Sequence, residues 1–362
     1  MSVRKKKIAI DATAYVEGRA PGFNYYLLAL LEGVAECWVS EYEIDLFIRE
    51  DQLGSFEVYS NKFKIRCVAV KSVIGRVLWQ NFVFPFLSVK FDFVFFPANF
   101  APLLCYRKYL LVVHDLNFLK YPKNFSFFSY WYRRFILKHS IIRAKQCVSI
   151  SNQVKNEIYN YCGVTSTVVY NPVRTISSCI EFGCIPEGIS KINSIIIVPS
   201  SLALQKNIPE AYDAALRIVK DYDDIAFIFF GSYSIDDFFV KEKHQRISIL
   251  GYVDEPTRMS LFSICCGVLV PSVYEGFGIP YIETLLSKKT LICCDIPVAR
   301  EVVGDYPFYI NSPYGAQEII DAVMNAHFCG YFKENNDSDV IERYSISTVC
   351  KNYLNLLESS SF

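Results

Sequence analysis

No uncharged run in this chain reaches the roughly 18 residues that a membrane-spanning helix needs. The longest apolar candidate, Met259 to Tyr274, is interrupted by Pro271. The opening MSVRKKKIAI is basic, but only a short apolar stretch precedes Asp11, so it does not read as a signal peptide. A cytoplasmic protein is expected. Histidine is scarce: His114, His139, His244 and His327 are widely separated and form no H-x-x-x-H pair, and the 13 cysteines include no C-x-x-C. Those spacings point away from a zinc framework. Most cysteines lie in apolar runs (Cys67, Cys147, Cys265, Cys266, Cys293, Cys294) and read as buried thiols. Charged residues make up only 20% of the chain against 52% apolar ones, which excludes disorder. At 362 residues two domains with substantial cores are expected, by the prior of about 150 residues each.

Acids are missing where cations collect. Residues 1–172 hold 22 of the 37 Lys and Arg but 13 of the 37 Asp and Glu, so a basic first half faces an acidic second half. An anionic partner on the first half is expected. Nothing there resembles a nucleic-acid module, which leaves phosphate or anionic lipid. From Leu116 to Asn156 there is no acid, yet Lys120, Lys123, Arg133, Arg134, Lys138, Arg143, Lys145 and Lys155 are interleaved with seven aromatics between Phe125 and Phe135. A helix of this kind can lie at an anionic membrane surface with aromatics at headgroup depth; equally, the aromatics can be core and the cations a solvated face.

What is present is an alternation of short apolar runs with helical spacing. Lys7–Ala12, Ile44–Ile48, Lys64–Val70, Phe91–Phe96 and Tyr109–Val113 read as strands in the first half, Ser194–Val198 and Ile225–Gly231 in the second. Gly267–Pro271 is a further strand, Ile279–Leu286 a helix and Thr290–Cys294 a strand. The loop Glu275-Gly276-Phe277-Gly278 therefore ends a strand and opens a helix, where α/β sheets bind ligands and free N–H groups attract anions. Glu275 and Glu283 bracket it, and carboxylates accept hydrogen bonds from sugar or ribose hydroxyls. The plain alternative is an ordinary strand–helix turn with a glutamate on a solvated face. Near the N-terminus, the loop Gly18 to Gly22 before an apolar helix Phe23–Val34 repeats the strand, glycine loop, helix layout, although a turn needs glycine for sterics alone. His114-Asp115 follows a strand end, well placed for a cleft.

The stretch from Glu275 to Glu283 resembles the EGFG-x-P-x-x-E signature of family-4 retaining glycosyltransferases. Val113-His114-Asp115-Leu116, Val148-Ser149-Ile150-Ser151-Asn152, Val169-Tyr170-Asn171-Pro172 and Lys206-Asn207 resemble further motifs of that family, so the likeness spans nearly the whole chain. The resemblance implies the GT-B fold: two doubly wound Rossmann-like domains facing across a cleft. An acceptor-side domain over 1–174 is expected, with the C-terminal helix 346–358 packing back on it, and a nucleotide-sugar domain over 175–345. It implies that Glu275 and His114 act on the transferred sugar and that Lys206 neutralises the diphosphate. Gly22, Asn207, Gly276, Phe277, Gly278, Ile279 and Glu283 then contact the donor, with Glu283 on the ribose, while Asp115 orients the loop or His114.

The sequence departs from the family pattern at Pro199, at Gln205 where an arginine is common, at Leu285 to Lys289, and in having only Gly22 in register in the first loop. The activity implied is retaining transfer of a hexose, mannose-like, from a nucleotide diphosphate sugar to a glycan or polyprenyl-linked saccharide in bacterial surface polysaccharide synthesis. No metal or other cofactor is needed, because cations and amides of the protein do that work. A peripheral seat on the inner membrane face through residues 120–145 is expected, and no nucleic acid. Two alternatives are a catalytically weak nucleotide-sugar-binding partner subunit and a GT-B nucleotide-sugar epimerase.

Overall fold

Apolar runs bounded by turns become parallel strands because both faces of each can be covered by the helices that connect them. A computed structural model describes residues 4–18, 21–174, 189, 192, 194–232, 242–331 and 338–359. Arg19 and Ala20 of the first glycine loop, and residues 175–188 at the start of the expected second domain, lie outside these residues.

The first sheet contains β1 (Lys6–Asp11), β2 (Tyr42–Arg49), β3 (Lys64–Val68), β4 (Phe93–Phe96), β5 (Tyr109–Val113), β6 (Gln146–Ser149) and β7 (Thr167–Val168), in the order β3-β2-β1-β4-β5-β6-β7. The second contains β8 (Ser194–Ser200), β9 (Ile225–Gly231), β10 (Ile247–Gly251), β11 (Gly267–Val270), β12 (Thr290–Cys294) and β13 (Phe308–Ile310), in the order β10-β9-β8-β11-β12-β13. Ile8 pairs with Phe93, and Gly267 and Val268 pair with Ile196 and Ile197, all parallel. In the first sheet the chain winds outward on both sides of the β1/β4 junction, and in the second on both sides of β8/β11. These are the topological switch points at which open α/β sheets leave a crevice beyond the strand ends. The loops carrying Lys206 and Glu275 follow β8 and β11, the two strands at the second switch.

The chain divides into two compact units, one of Met1–Val173 with Glu342–Phe362 and one of Arg174–Ile341. Within the first unit the C-terminal helix Ile346–Ser359 packs along the helix Pro21–Cys37. Trp38 Nε1 donates to the Cys350 carbonyl at 3.3 Å, and the Tyr26 and Tyr353 hydroxyls meet at 3.1 Å, all buried. Gly33 makes this approach possible. A Cβ there would run into Cys350 Sγ and stand 2.7 Å from Ile346 Cγ2.

Two expectations need correction, and one alternative left open is decided. Gly22 is in the first turn of its helix rather than in the preceding loop, because Pro21, with φ already fixed and no N–H to lose, starts the helix. Cys67 is exposed and Cys266 only half-buried, while Cys147, Cys265, Cys293 and Cys294 are buried; Cys67 sits on β3, an edge strand with one open side. The aromatics between Phe125 and Phe135 are not core, whereas Phe118, earlier in the acid-free interval, is buried. The helix Phe127–Arg143 turns Ile136, Leu137, Ser140 and Ile141 inward and leaves Phe127, Phe128, Trp131 and Phe135 exposed, Phe128 by 83%.

Gly33→Val overpacks the contact between the two helices and should destabilise the first unit by about 1–3 kcal/mol. Trp38, Trp79 and Trp131 all lie in that unit, so the urea midpoint followed by tryptophan fluorescence reads it directly. An unchanged midpoint would show that the helices are not in tight contact.

Candidate functional site

In the second unit, two loops meet beyond β8 and β11. After β8 the chain makes one short turn, Leu204–Lys206, and Asn207 takes the left-handed conformation (φ 56°) that starts the helix Ile208–Asp221. Asparagine tolerates this conformation better than most residues. Its Nδ2 donates to the Tyr314 carbonyl at 2.8 Å, which pins the turn. After β11 the chain runs through Glu275 to Gly278, whose φ of 89° opens the helix Ile279–Leu286. A side chain at Gly278 would be strained by that φ and would collide with the ring of Tyr281, so glycine is required twice over. The loops are joined by their backbones, Val273 N–H donating to the Gln205 carbonyl at 2.9 Å, and by charge, Lys206 Nζ lying 2.5 Å from Glu275 Oε1. The lysine side chain is 23% exposed and the glutamate 12%.

Beside this pair the helix Ile279–Leu286 begins without a side-chain cap. Pro280 has no N–H, Tyr281 N–H returns to the Gly278 carbonyl, and among the described residues no acceptor faces the Gly278 and Ile279 amides. Two amides at the positive end of a helix next to a lysine form a seat for an anion. Phe277 is buried within the loop. Glu283, one turn along, is only 4% exposed and receives Arg258 Nη1 at 2.6 Å. Burial pushes its carboxyl above the ordinary range; Arg258 opposes that, and Glu255, also bonded to Arg258, adds to it.

The first unit builds its own site beyond β5. His114 follows that strand, its backbone N–H donating to Asn99 Oδ1 at 2.6 Å and its Nε2 lying 2.7 Å from the Pro97 carbonyl. A carbonyl only accepts, so Nε2 carries the proton and Nδ1 is left as an acceptor. The rings of Tyr26 and Phe23 stand edge-on to the imidazole at 4.6 and 5.6 Å. Asp115 Oδ1 accepts from Asn117 N–H at 3.1 Å, an Asx turn that shapes the loop. Around Gly22 a Cβ would meet only open space. Asp11, at the end of β1, accepts from Thr13 N–H and Oγ1 and from Gln80 Nε2 at 3.0, 2.6 and 2.6 Å; its carboxylate holds the strand end in place.

The structure thus gathers Lys206, Asn207, Glu275, Gly276, Phe277, Gly278, Ile279 and Glu283 in one unit, and Gly22, His114 and Asp115 in the other. Sequence reasoning missed Arg258, the counter-ion of Glu283, which lies 25 residues upstream. Its signal was an arginine four residues after Asp254, the N-cap of the helix leading into β11. It also missed that Gln205 is buried and that its backbone carbonyl joins the two loops. Among the described residues no group of His, Cys, Asp and Glu is placed to hold a metal ion, and no helix is long and apolar enough to cross a membrane.

Residues 186–327 match the family model described as glycosyl transferases group 1. The chain is 32% identical to O-antigen chain mannosyltransferase RfbU of Salmonella typhimurium over 58% of each protein. It is 24% identical to poly(ribitol-phosphate) alpha-N-acetylglucosaminyltransferase of Staphylococcus aureus over 52% of this chain and 40% of that one. The matched stretches therefore span less than two thirds of these relatives. Among solved structures, Alr3699/HepE of Anabaena, in complex with UDP and glucose, matches with a TM-score of 0.70 at 17% identity, covering 98% of this chain and 100% of that one. Sucrose-phosphate synthase of Thermosynechococcus elongatus matches with a TM-score of 0.71 at 13% identity, covering 98% and 99%. The fold is GT-B.

Burial holds the His114 imidazole down to about 4 from its ordinary 6.5, with the Pro97 carbonyl opposing. The folded group is therefore neutral throughout the physiological range. Since the unfolded chain takes up this proton first, stability is complete above the unfolded value and is lost as pH falls toward 4. Nitrogen NMR of labelled histidine should show protonated Nε2, bare Nδ1 and a midpoint near 4, and His114→Gln should flatten the acid-side loss of stability. A midpoint near 6.5 would contradict this account.

Proposed function

We propose, from the match of residues 186–327 to the glycosyl transferases group 1 model, that this chain is a retaining hexosyltransferase. It moves a hexose from a nucleotide diphosphate sugar to a hydroxyl of a glycan or lipid-linked saccharide. The observation that carries this reading is the Lys206–Glu275 pair beside the open amides of Gly278 and Ile279, at the switch point of β8 and β11. One position thus offers a cation and dipoles for a diphosphate and a carboxylate for sugar hydroxyls.

In the reaction the bond from the anomeric carbon to the diphosphate oxygen breaks, and the acceptor oxygen bonds to the same face. The acceptor's proton passes to the departing phosphate. Lys206 and the two amides stabilise the charge that develops on the leaving group, which is where fixed donors lower a barrier most. Glu275, released from Lys206 as the diphosphate takes the lysine, accepts from the sugar's hydroxyls. Glu283 accepts from the ribose hydroxyls, with Arg258 keeping it ionised against its burial. His114, neutral with Nδ1 open, accepts from a sugar hydroxyl near the reacting carbon, and Asp115 shapes the loop that carries it. Gly22 leaves room at its helix start, and Asn207 holds the lysine turn. A mannose-like sugar and surface polysaccharide synthesis are supported by the name of the O-antigen chain mannosyltransferase relative. A seat on an anionic membrane face through residues 120–145 is supported by the exposed aromatics between its cations.

A second reading is favoured by the closed Arg258–Glu283 pair and by Gln205 in place of an arginine: a subunit that binds nucleotide sugar but turns over slowly. A panel of nucleotide sugars, scored for nucleotide release, separates the two. Glu275→Gln should cut transfer by more than about tenfold, the loss of a charge-assisted contact, with nucleoside diphosphate affinity nearly unchanged. Glu283→Ala should weaken that affinity instead. Equal loss of affinity in both variants would remove the division of roles.

A further inference from the structure

Arg258 does more than answer the charge of Glu283. Its guanidinium joins two carboxylates: Nη1 donates to Glu283 Oε1 at 2.6 Å, while Nε and Nη2 donate to Glu255 Oε2 and Oε1 at 2.9 and 2.6 Å. The two acids sit in opposite surroundings. Glu283 is buried, whereas the side chain of Glu255 is 57% exposed. An arginine and a glutamate three residues apart on a helix are ordinarily a solvated pair of small worth. Here the arginine is mostly buried and anchored on a buried acid, so it holds the exposed one in a defined place. Nor is Glu255 needed at the helix end. Asp254 caps that end, its Oδ1 accepting from Thr257 N–H at 3.0 Å, and Pro256 has no N–H to satisfy.

The topology puts Glu255 on the ligand side of the sheet. β10 runs parallel to β9, β9 to β8 and β8 to β11, so the chain leaves β10 on the same edge as the loops that carry Lys206 and Glu275. Glu255 follows four residues after Gly251, the last residue of β10. The groups are linked in one order: the Gly278 and Ile279 amides, then Glu283 a helical turn along, then Glu255 through Arg258. A nucleoside diphosphate carries phosphate, ribose and base in that order. With its ribose hydroxyls on Glu283, the base arrives one guanidinium's width further on, at Glu255.

The chemistry of the pair says which base fits. An ionised carboxylate only accepts and a guanidinium only donates. Being exposed, Glu255 can turn from Arg258 to a ligand while Arg258 stays on Glu283. The two then present one donor beside two acceptors. Guanine has the complementary edge, its O6 acceptor standing next to the N1–H and 2-amino donors. Adenine and cytosine place an acceptor ring nitrogen beside their amino group, and uracil sets one N–H between two carbonyls, so each turns an acceptor toward the carboxylate. A site built to hydrogen-bond one partner rejects such mismatches strongly, because its polar groups are left unpaired.

We propose that Glu255 and Arg258 read the base of the donor nucleotide and select guanine. Glu255 accepts from N1–H and the 2-amino group, and Arg258, kept in place by Glu283, donates to O6. This deepens the transferase reading and rests on its placement of the ribose at Glu283.

The test titrates the full chain with guanosine, inosine, uridine and adenosine diphosphates in a calorimeter. Guanosine diphosphate should bind at least about tenfold more tightly than the uridine or adenosine compound, as expected for charge-assisted bonds. Inosine diphosphate keeps O6 and N1–H but lacks the 2-amino group, and should fall between. Glu255→Ala removes an exposed side chain; it should weaken guanosine diphosphate by about tenfold, close the gap to inosine diphosphate and leave uridine diphosphate within about twofold. If Glu255 served only to hold Arg258 and Glu283 in place, the variant would lose all four ligands alike. That result overturns the proposal, as does wild-type binding of the uridine or adenosine compound as tight as that of guanosine diphosphate. Donor hydrolysis is measured alongside. A preference for another base with hydrolysis of its sugars removes the base assignment and leaves the transferase reading, whereas no binding of any nucleoside diphosphate and no hydrolysis removes both.

Discussion

The ion pair between Lys206 and Glu275 is the constraint on which the candidate site depends. It joins two loops that leave neighbouring strands at the β8/β11 switch, and at 2.5 Å it fixes their separation. Such a pair is weak evidence of stability, because taking two charges out of water offsets most of their attraction. Its value is positional. Both groups keep a strip of exposed surface, so each can exchange its partner for a ligand group of the same character: the lysine for phosphate oxygens, the carboxylate for hydroxyls. The backbone bond from Val273 to Gln205 keeps the loops aligned during that exchange. Gly278 supplies the turn that aims the helix amides at the same position.

The first unit meets a different requirement with different means. Its histidine is neutral because burial against two aromatic rings outweighs the Pro97 carbonyl, which fixes the proton on Nε2. Tyr26, one of those rings, meets Tyr353 of the C-terminal helix, so that helix supports a side chain that stands against His114. Close approach of that helix depends on Gly33.

Much of this was legible in the sequence. The apolar runs gave β5, β9 and β12 to the residue, since buried parallel strands are continuous apolar segments bounded by turns. The helix Ile279–Leu286 was readable because Gly278 and Pro280 mark its start. Three features were not legible, each for a reason of context. Arg258 meets Glu283 only because two helices flank the same strand, and no local pattern encodes that. The side chain of Asn207 resembles a ligand contact but serves the Tyr314 carbonyl, a partner 107 residues away. Whether the aromatics from Phe127 to Phe135 face inward could not be decided from composition, as cations and aromatics alternate on every face of that helix; the smaller residues Ile136, Leu137 and Ser140 took the core positions instead.

The central claim is that these groups hold a nucleotide diphosphate sugar and transfer its hexose with retention. Proton NMR of the anomeric signal during turnover tests it most directly, with the donor that releases nucleotide fastest and a saccharide acceptor. The account predicts that an α-linked donor gives a product that is α at its first appearance, before mutarotation can scramble any free sugar. A β product, or nucleotide release from no donor at all, would contradict it.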